Sequence, residues 1–206
     1  MNYGFVPSEM DGTEVKFKKI KDFEIPEEYS YKKYLPSVLN QGSKPICVPC
    51  SLSAYINWSI NSDTGENKVD NEVNLQEIFN SSTIKSKDGM TFKDGLKFLK
   101  HEGVTTKDGI ETIDRYAFVG SQITLKQALI LNGPCVGGLP VYDSRVTNFW
   151  CSSFGDYQGG HAVAIVGYNK EGFIIRNSWG KMYGDNGYAV IPYDDFNKFM
   201  EVWTIY

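Results

Sequence analysis

Few side chains in this chain can do covalent chemistry, and they fall in a telling order. There are four cysteines (Cys47, Cys50, Cys135 and Cys151) and two histidines. Cys47 follows a loop-like segment, Gln41-Gly42-Ser43-Lys44-Pro45-Ile46. His161 opens an apolar run through Tyr168, and Asn177 ends the next apolar run, Phe173-Ile174-Ile175-Arg176. A thiol, an imidazole and an amide supply a nucleophile, a base and a group that orients the base. The Asn carbonyl can accept one imidazole N–H and so fix the tautomer. Gln41, six residues before Cys47, can donate its side-chain N–H to a developing oxyanion, together with the Cys47 backbone N–H. His101, flanked by Lys100 and Glu102 at the end of a helical pattern, reads instead as a surface histidine at a helix C-terminus.

These groups need elements to hold them. Leu52, Tyr55, Ile56 and Ser59 recur at helical spacing, and Pro49 is tolerated only in a first helical turn. A helix over 47–60 must therefore start at or just before Cys47, which puts the sulfur beside unpaired N–H groups at the positive end of the helix. Residues 61–74 are polar and read as a loop. Further helices are predicted at about 75–80, 91–101 (capped by Gly103) and 124–131, and strands at 135–141, 161–168, 172–177 and 187–191. Residues 1–40 read as an irregular arm, with Lys16–Lys21 either an edge strand or a solvated stretch. Helices first and strands later make an α+β protein, with a mainly helical part at about 41–115 and a mainly β part at about 116–206.

The hairpin between the last two functional strands raises a geometric problem. A plain turn centred on Lys170–Glu171 pairs Ala164 with Asn177, which aims the Asn and His161 side chains at opposite faces of the sheet. Cooperation between them requires a bulge or an odd-length turn.

The strings QGSKPICVPCS, GGHAVAIVGY and RNSWG resemble the three signature segments of papain-like cysteine peptidases. The order Gln, Cys, His, Asn and the Gln-to-Cys and His-to-Asn steps match that family. The resemblance implies a papain-like fold, a helical lobe plus an antiparallel β-barrel-like lobe with the active site between them. It implies Cys47 as nucleophile, His161 as general base and acid, Asn177 as orienter and Gln41 in the oxyanion hole. Trp179 would shield the His–Asn hydrogen bond from water. Gly89 and Met90 fall in the glycine-containing substrate loop, Gly138 and Ala162 line the pocket for the residue second from the scissile bond, and Gly160 precedes the histidine where Asp or Asn is common. The start, around Tyr3–Pro7, resembles compact prokaryotic or viral members. The second Cys usual three residues before the nucleophile is Lys44 here, so its disulfide is not expected. No long inhibitory propeptide is expected either, which leaves the first thirty residues as the segment that would hold the chain in check.

Composition limits the other readings. The chain has 206 residues, 41% hydrophobic and 14% aromatic, with a net charge of −4. That is too aromatic and too weakly charged for a disordered chain, and it gives no basic footprint for nucleic acid. The start lacks a cationic and apolar leader, and the longest apolar run is too short for a bilayer, so a cytoplasmic protein with free thiols is expected. The expected partner is a peptide or protein substrate, with no cofactor and no metal. Two rivals use the same cysteine. Cys47-Val48-Pro49-Cys50 also reads as a C-x-x-C redox motif, but no βαβ pattern precedes it. A zinc site from Cys47, Cys50 and the two histidines has no usual ligand spacing. A fold kept without turnover, or acyl transfer to an acceptor other than water, shares the residues of the peptidase reading.

Overall fold

The structure, a computed structural model, describes residues 4–86, 88–142 and 155–206; Cys151 lies outside them. In chain order the elements are β1 (Tyr29–Ser30), α1 (Cys47–Thr64), α2 (Leu75–Asn80), α3 (Phe92–His101), β2 (Val104–Thr106), β3 (Gly109–Glu111), β4 (Tyr116–Phe118), α4 (Gln122–Asn132), β5 (Cys135–Tyr142), β6 (Tyr157–Tyr168), β7 (Gly172–Arg176), β8 (Tyr188–Pro192) and β9 (Glu201–Ile205).

Helix α1 starts at Cys47, with Pro49 in its first turn, where a missing N–H is harmless. It closes on Gly65 in the left-handed conformation, φ 73°. The helix runs one turn past the expected end at residue 60. The reason is Asn61, which is not a solvated loop residue but fully buried. Its Nδ2 donates to Tyr34 O (2.7 Å) and Val69 O (2.9 Å), and its Oδ1 accepts from Asn71 Nδ2 at 3.0 Å. A satisfied buried amide of this kind looks like loop polarity in a sequence. The other helices carry side-chain caps: Asn74 for α2, Thr91 for α3, and a Ser121–Thr124 capping box for α4. Gly103 follows α3 with φ +79° and donates its N–H to Phe98 O, as its position after the helical stripe predicts.

The main sheet is antiparallel in the order β4-β9-β5-β6-β7-β8, with β1 paired to the far end of β6; β2 and β3 form a separate hairpin. Strands β2, β3, β4 and β9 and the two-residue β1 go beyond the sequence reading. Lys16 makes only a single bridge, to Phe118 at the sheet edge.

Two cores flank the sheet. On one side, Val48, Leu52 and Ile56 of α1 pack with Phe92, Leu96 and Leu99 of α3 and with Val136, Ala162 and Trp203. On the other, Leu125, Ala128 and Leu129 of α4 pack with Val163, Ile165, Tyr168, Phe173 and Ile175. Alternate residues of β6 feed the two cores, as a strand covered on both faces requires. Helix α1 is thus wedged against β6, and the N-terminus of the helix meets the start of the histidine strand. No helix among the described residues is long and apolar enough to cross a membrane.

Candidate active site

Two elements bring the sequence-predicted residues together. The hairpin β6–β7 closes through Asn169, whose side chain accepts the N–H groups of Glu171 and Gly172. Its register begins as a plain turn dictates, with Tyr168 opposite Phe173 and Gly167 opposite Ile174. It then slips: Ile165 pairs with Ile175 and Ala164 with Arg176. Val166 is the extra residue, and its carbonyl accepts the N–H of Tyr31 instead. Continuing that register places Asn177 opposite Val163, two residues from His161, so Asn and His share a face. The bulge that the spacing demanded is present.

The result is a hydrogen bond of 2.7 Å between His161 Nε2 and Asn177 Oδ1. The same Oδ1 accepts the backbone N–H of Ser178 at 2.7 Å, which fixes which end of the amide is the oxygen. An amide oxygen only accepts, so Nε2 carries the hydrogen, and in the neutral ring Nδ1 is the basic nitrogen. Trp179 stacks over the imidazole, ring centroids 4.6 Å apart and planes 28° apart. Tyr183 stands edge-on to Trp179 at 5.0 Å and its hydroxyl bonds to Asn177. His161 and Asn177 are both buried.

Cys47 is the first residue of α1 and fully buried. Burial pushes its thiol up to about 12, although the backbone N–H of Ala162 and the helix-start N–H groups act in the opposite direction. Ala162 follows His161 directly, so this contact joins the thiol to the histidine strand. Gln41 ties the loop before α1 to the Asn177 segment. Its N–H donates to Ser178 O (2.8 Å), its Oε1 accepts the Ser178 hydroxyl (2.6 Å), and its Nε2 donates to Lys44 O at 2.8 Å. Gly180 N donates to Leu39 O at 2.9 Å beside it.

The residues assigned to substrate contact by resemblance surround a strand of the chain itself. Phe5 bridges Met90 on one side and Gly160 on the other. Phe5 N donates to Gly160 O at 3.2 Å, Val6 N to Met90 O at 3.0 Å, and Met90 N to Gly4 O at 2.8 Å. The Phe5 ring is buried against Phe92 at 5.2 Å and lies directly over Gly138, where any Cβ would overlap it. A Cβ on Gly89 would meet Gly4 O at 2.9 Å, and one on Gly160 would meet Phe5 O at 2.7 Å. Ala162 shares the same core cluster.

Sequence reasoning missed three participants. Ser178 and Tyr183 sit within six residues of Asn177 and carry only ordinary polarity. Phe5 is an apolar residue in an otherwise irregular arm, and its burial was its only possible signal. His101 is exposed at the end of α3, away from this site. Cys50 is a buried residue of α1 with a thiol raised to about 12 by burial, and it is free, like Cys47 and Cys135. Among the described residues no three His, Cys, Asp or Glu side chains are placed to hold a metal ion.

Comparison with known proteins gives a consistent result. The family described as "Papain family cysteine protease" matches residues 73–200, a stretch that holds His161 and Asn177. An uncharacterized peptidase C1-like protein of Acanthamoeba polyphaga mimivirus is 35% identical over 94 residues, covering 39% of this chain and 30% of that protein. A probable cysteine proteinase of Invertebrate iridescent virus 6 is 31% identical over 116 residues, covering 39% of this chain and 26% of that protein. The chain thus spans less than a third of the length of these curated relatives. Among solved structures, xylellain, a cysteine protease from Xylella fastidiosa, superposes with a TM-score of 0.82 at 24% identity, over 99% of this chain and 95% of that one. Digestive procathepsin L 3 from Tenebrio molitor larval midgut gives 0.76 at 15% identity, over 99% of this chain and 76% of that one.

Proposed function

Because the chain belongs to the papain family of cysteine proteases, we propose that it hydrolyses peptide bonds through an acyl-enzyme on Cys47. The observation that carries this reading is the His161–Asn177 hydrogen bond beneath Trp179, on the strand whose next residue, Ala162, touches the Cys47 thiol.

The chemistry follows from the geometry. With water in the cleft, the Cys47 proton passes to His161 Nδ1, and the thiolate is held by the imidazolium and the α1 N-terminus. Asn177 keeps Nε2–H in place, so the ring presents Nδ1 throughout. The thiolate attacks the peptide carbonyl carbon. The resulting oxyanion takes hydrogen bonds from the Cys47 backbone N–H and the Gln41 side chain. The imidazolium then protonates the departing amine, leaving a thioester. His161 next removes a proton from water, the hydroxide oxygen attacks the thioester, and the thiol is restored as the acid leaves. Gly89, Met90, Gly138, Gly160 and Ala162 form the substrate channel, with Trp179 as the lid on the His–Asn bond.

A reducing, cytoplasmic setting fits this chemistry, since Cys47, Cys50 and Cys135 are all free thiols. The test is intact mass after treatment with an epoxide-type thiol label, in parallel with hydrolysis of a peptide library. One adduct that is lost with Cys47→Ala and His161→Ala, retained with Cys50→Ala, and accompanied by peptide cleavage supports the proposal. Equal labelling of Cys47 and Cys50, or labelling without cleavage of any peptide, overturns it.

A further inference from the structure

The strand that fills the cleft belongs to an arm with two differently anchored parts. Residues 4–8 lie in the channel: three backbone hydrogen bonds at Phe5, Val6 and Met90, with the ring of Phe5 buried over Gly138. The following turn is held by polar contacts at the surface. Ser8 N donates to Glu201 Oε1 at 2.9 Å, and Lys93 Nζ donates to Glu9 O at 2.6 Å and pairs with Glu14. Glu14 in turn accepts the N–H groups of Asp11 and Gly12, each at 3.0 Å. From Val15 onward the arm is part of the body. Phe118 N donates to Val15 O (2.7 Å), Phe17 N to Phe118 O (2.9 Å), and Ile20 exchanges two hydrogen bonds with the Gln127 amide.

We propose that residues 4–14 are a tethered, reversible plug: Phe5 occupies the substrate pocket, the Glu14–Lys93 turn latches it, and the site opens by displacement of the arm with no bond cut. Ten residues separate Phe5 from the Val15 anchor. An extended segment of that length reaches about 35 Å, enough to clear the channel while the rest of the arm keeps its place. A tether of this length also keeps the plug at millimolar effective concentration, so an incoming peptide must outcompete it. The latch suits reversibility. It rests on exposed backbone and one ion pair, contacts that exchange readily with water. The pocket contact is a single ring.

The proposal rests on the peptidase reading only for its chemical readout, so two readouts are needed. The first is the rate of epoxide labelling of the full chain, followed by intact mass. Phe5→Ala is expected to label about tenfold faster than wild type or more, and Glu14→Gln a few-fold faster. Wild type is expected to carry its adduct on the uncut chain. The second is amide hydrogen exchange at Val6 and Met90, which needs no chemistry at Cys47. Their amides should be protected in wild type and exchange much faster in Phe5→Ala, while Phe17 and Phe118 stay protected in both. Equal labelling and equal exchange in wild type and Phe5→Ala overturn the plug. Labelling confined to chains that have lost their first residues overturns displacement. If no variant labels but Val6 and Met90 lose protection in Phe5→Ala, the plug stands and the peptidase reading fails.

Discussion

Phe5 lies where the side chain of residue 138 would be: a single methyl group on Gly138 would overlap the ring. The two residues are far apart in sequence and define one pocket, with Met90 and Phe92 as walls. Gly138→Val is therefore expected to do two things at once. It should expel Phe5 and speed thiol labelling, and it should close the pocket to aromatic substrate side chains. Discrimination in a hydrophobic pocket is worth about 1–3 kcal/mol. The ratio of kcat/KM for a peptide with Phe against one with Ala at that position should fall by about 10-fold to 100-fold. A faster-labelling variant with an unchanged ratio would show that the pocket under Phe5 is not the one that selects substrate.

The hydrogen bond from His161 Nε2 to Asn177 Oδ1 holds the basic nitrogen Nδ1 toward the helix. Asn177→Ala removes the acceptor and frees the ring to rotate or change tautomer. Positioned acid–base catalysis contributes about 10²–10⁴-fold. A loss of about 10²-fold in kcat with little change in KM is expected, since no substrate contact is removed. Ser178 loses an N–H acceptor in the same variant, so the melting temperature should be measured alongside. A fall in KM-dependent terms alone would assign Asn177 to binding rather than to the imidazole.

How much of this was readable beforehand depends on what kind of signal each feature leaves. The site was the most legible part, because Cys47 at a helix start and His161 and Asn177 at strand ends are fixed by spacing. Even the β-bulge at Val166 followed from parity: without an extra residue the two side chains cannot face the same way. The four main helices and strands β5 to β8 were legible from periodicity. The short strands β1 to β4 were not, because two or three residues show no alternation. Strand β9 was hidden by its own burial: in Glu201–Ile205 every residue is buried, with Glu201 accepting from Ser8 N and Trp203 Nε1. The polar run from Asn61 misled for the same reason. Phe5 could not be placed at all, since its hydrogen bonds are made by backbone groups and its partners lie across the chain.

Gln41 is held on both ends, which makes a clean variant possible. Gln41→Glu keeps an oxygen to accept the Ser178 hydroxyl and loses the N–H donors, including the one now on Lys44 O. Removing an oxyanion donor costs about 10²–10³-fold in kcat. The expected result is that loss with KM changed little and the His161–Asn177 bond intact. Retention of kcat in Gln41→Glu would leave the oxyanion to the Cys47 backbone N–H alone.

The buried thiols make the fold sensitive to alkali. Burial raises Cys47, Cys50 and Cys135 each to about 12 in the folded chain, against an ordinary value near 8.5 when unfolded. Below about pH 8.5 both states keep these protons, and the thiols add no pH dependence. Between about 8.5 and 12 the unfolded chain has released protons that the folded chain still holds, so stability falls as pH rises. Each thiol contributes up to about 1.4 kcal/mol per pH unit across that window. Urea midpoints measured from pH 7 to 10.5 should therefore fall steadily above about pH 8.5. The Cys50→Ala/Cys135→Ala double variant, less stable at pH 7 for lack of its sulfurs, should show a shallower slope above that point. A slope identical to wild type would mean that the thiols are reached by hydroxide in the folded state and are not held by burial.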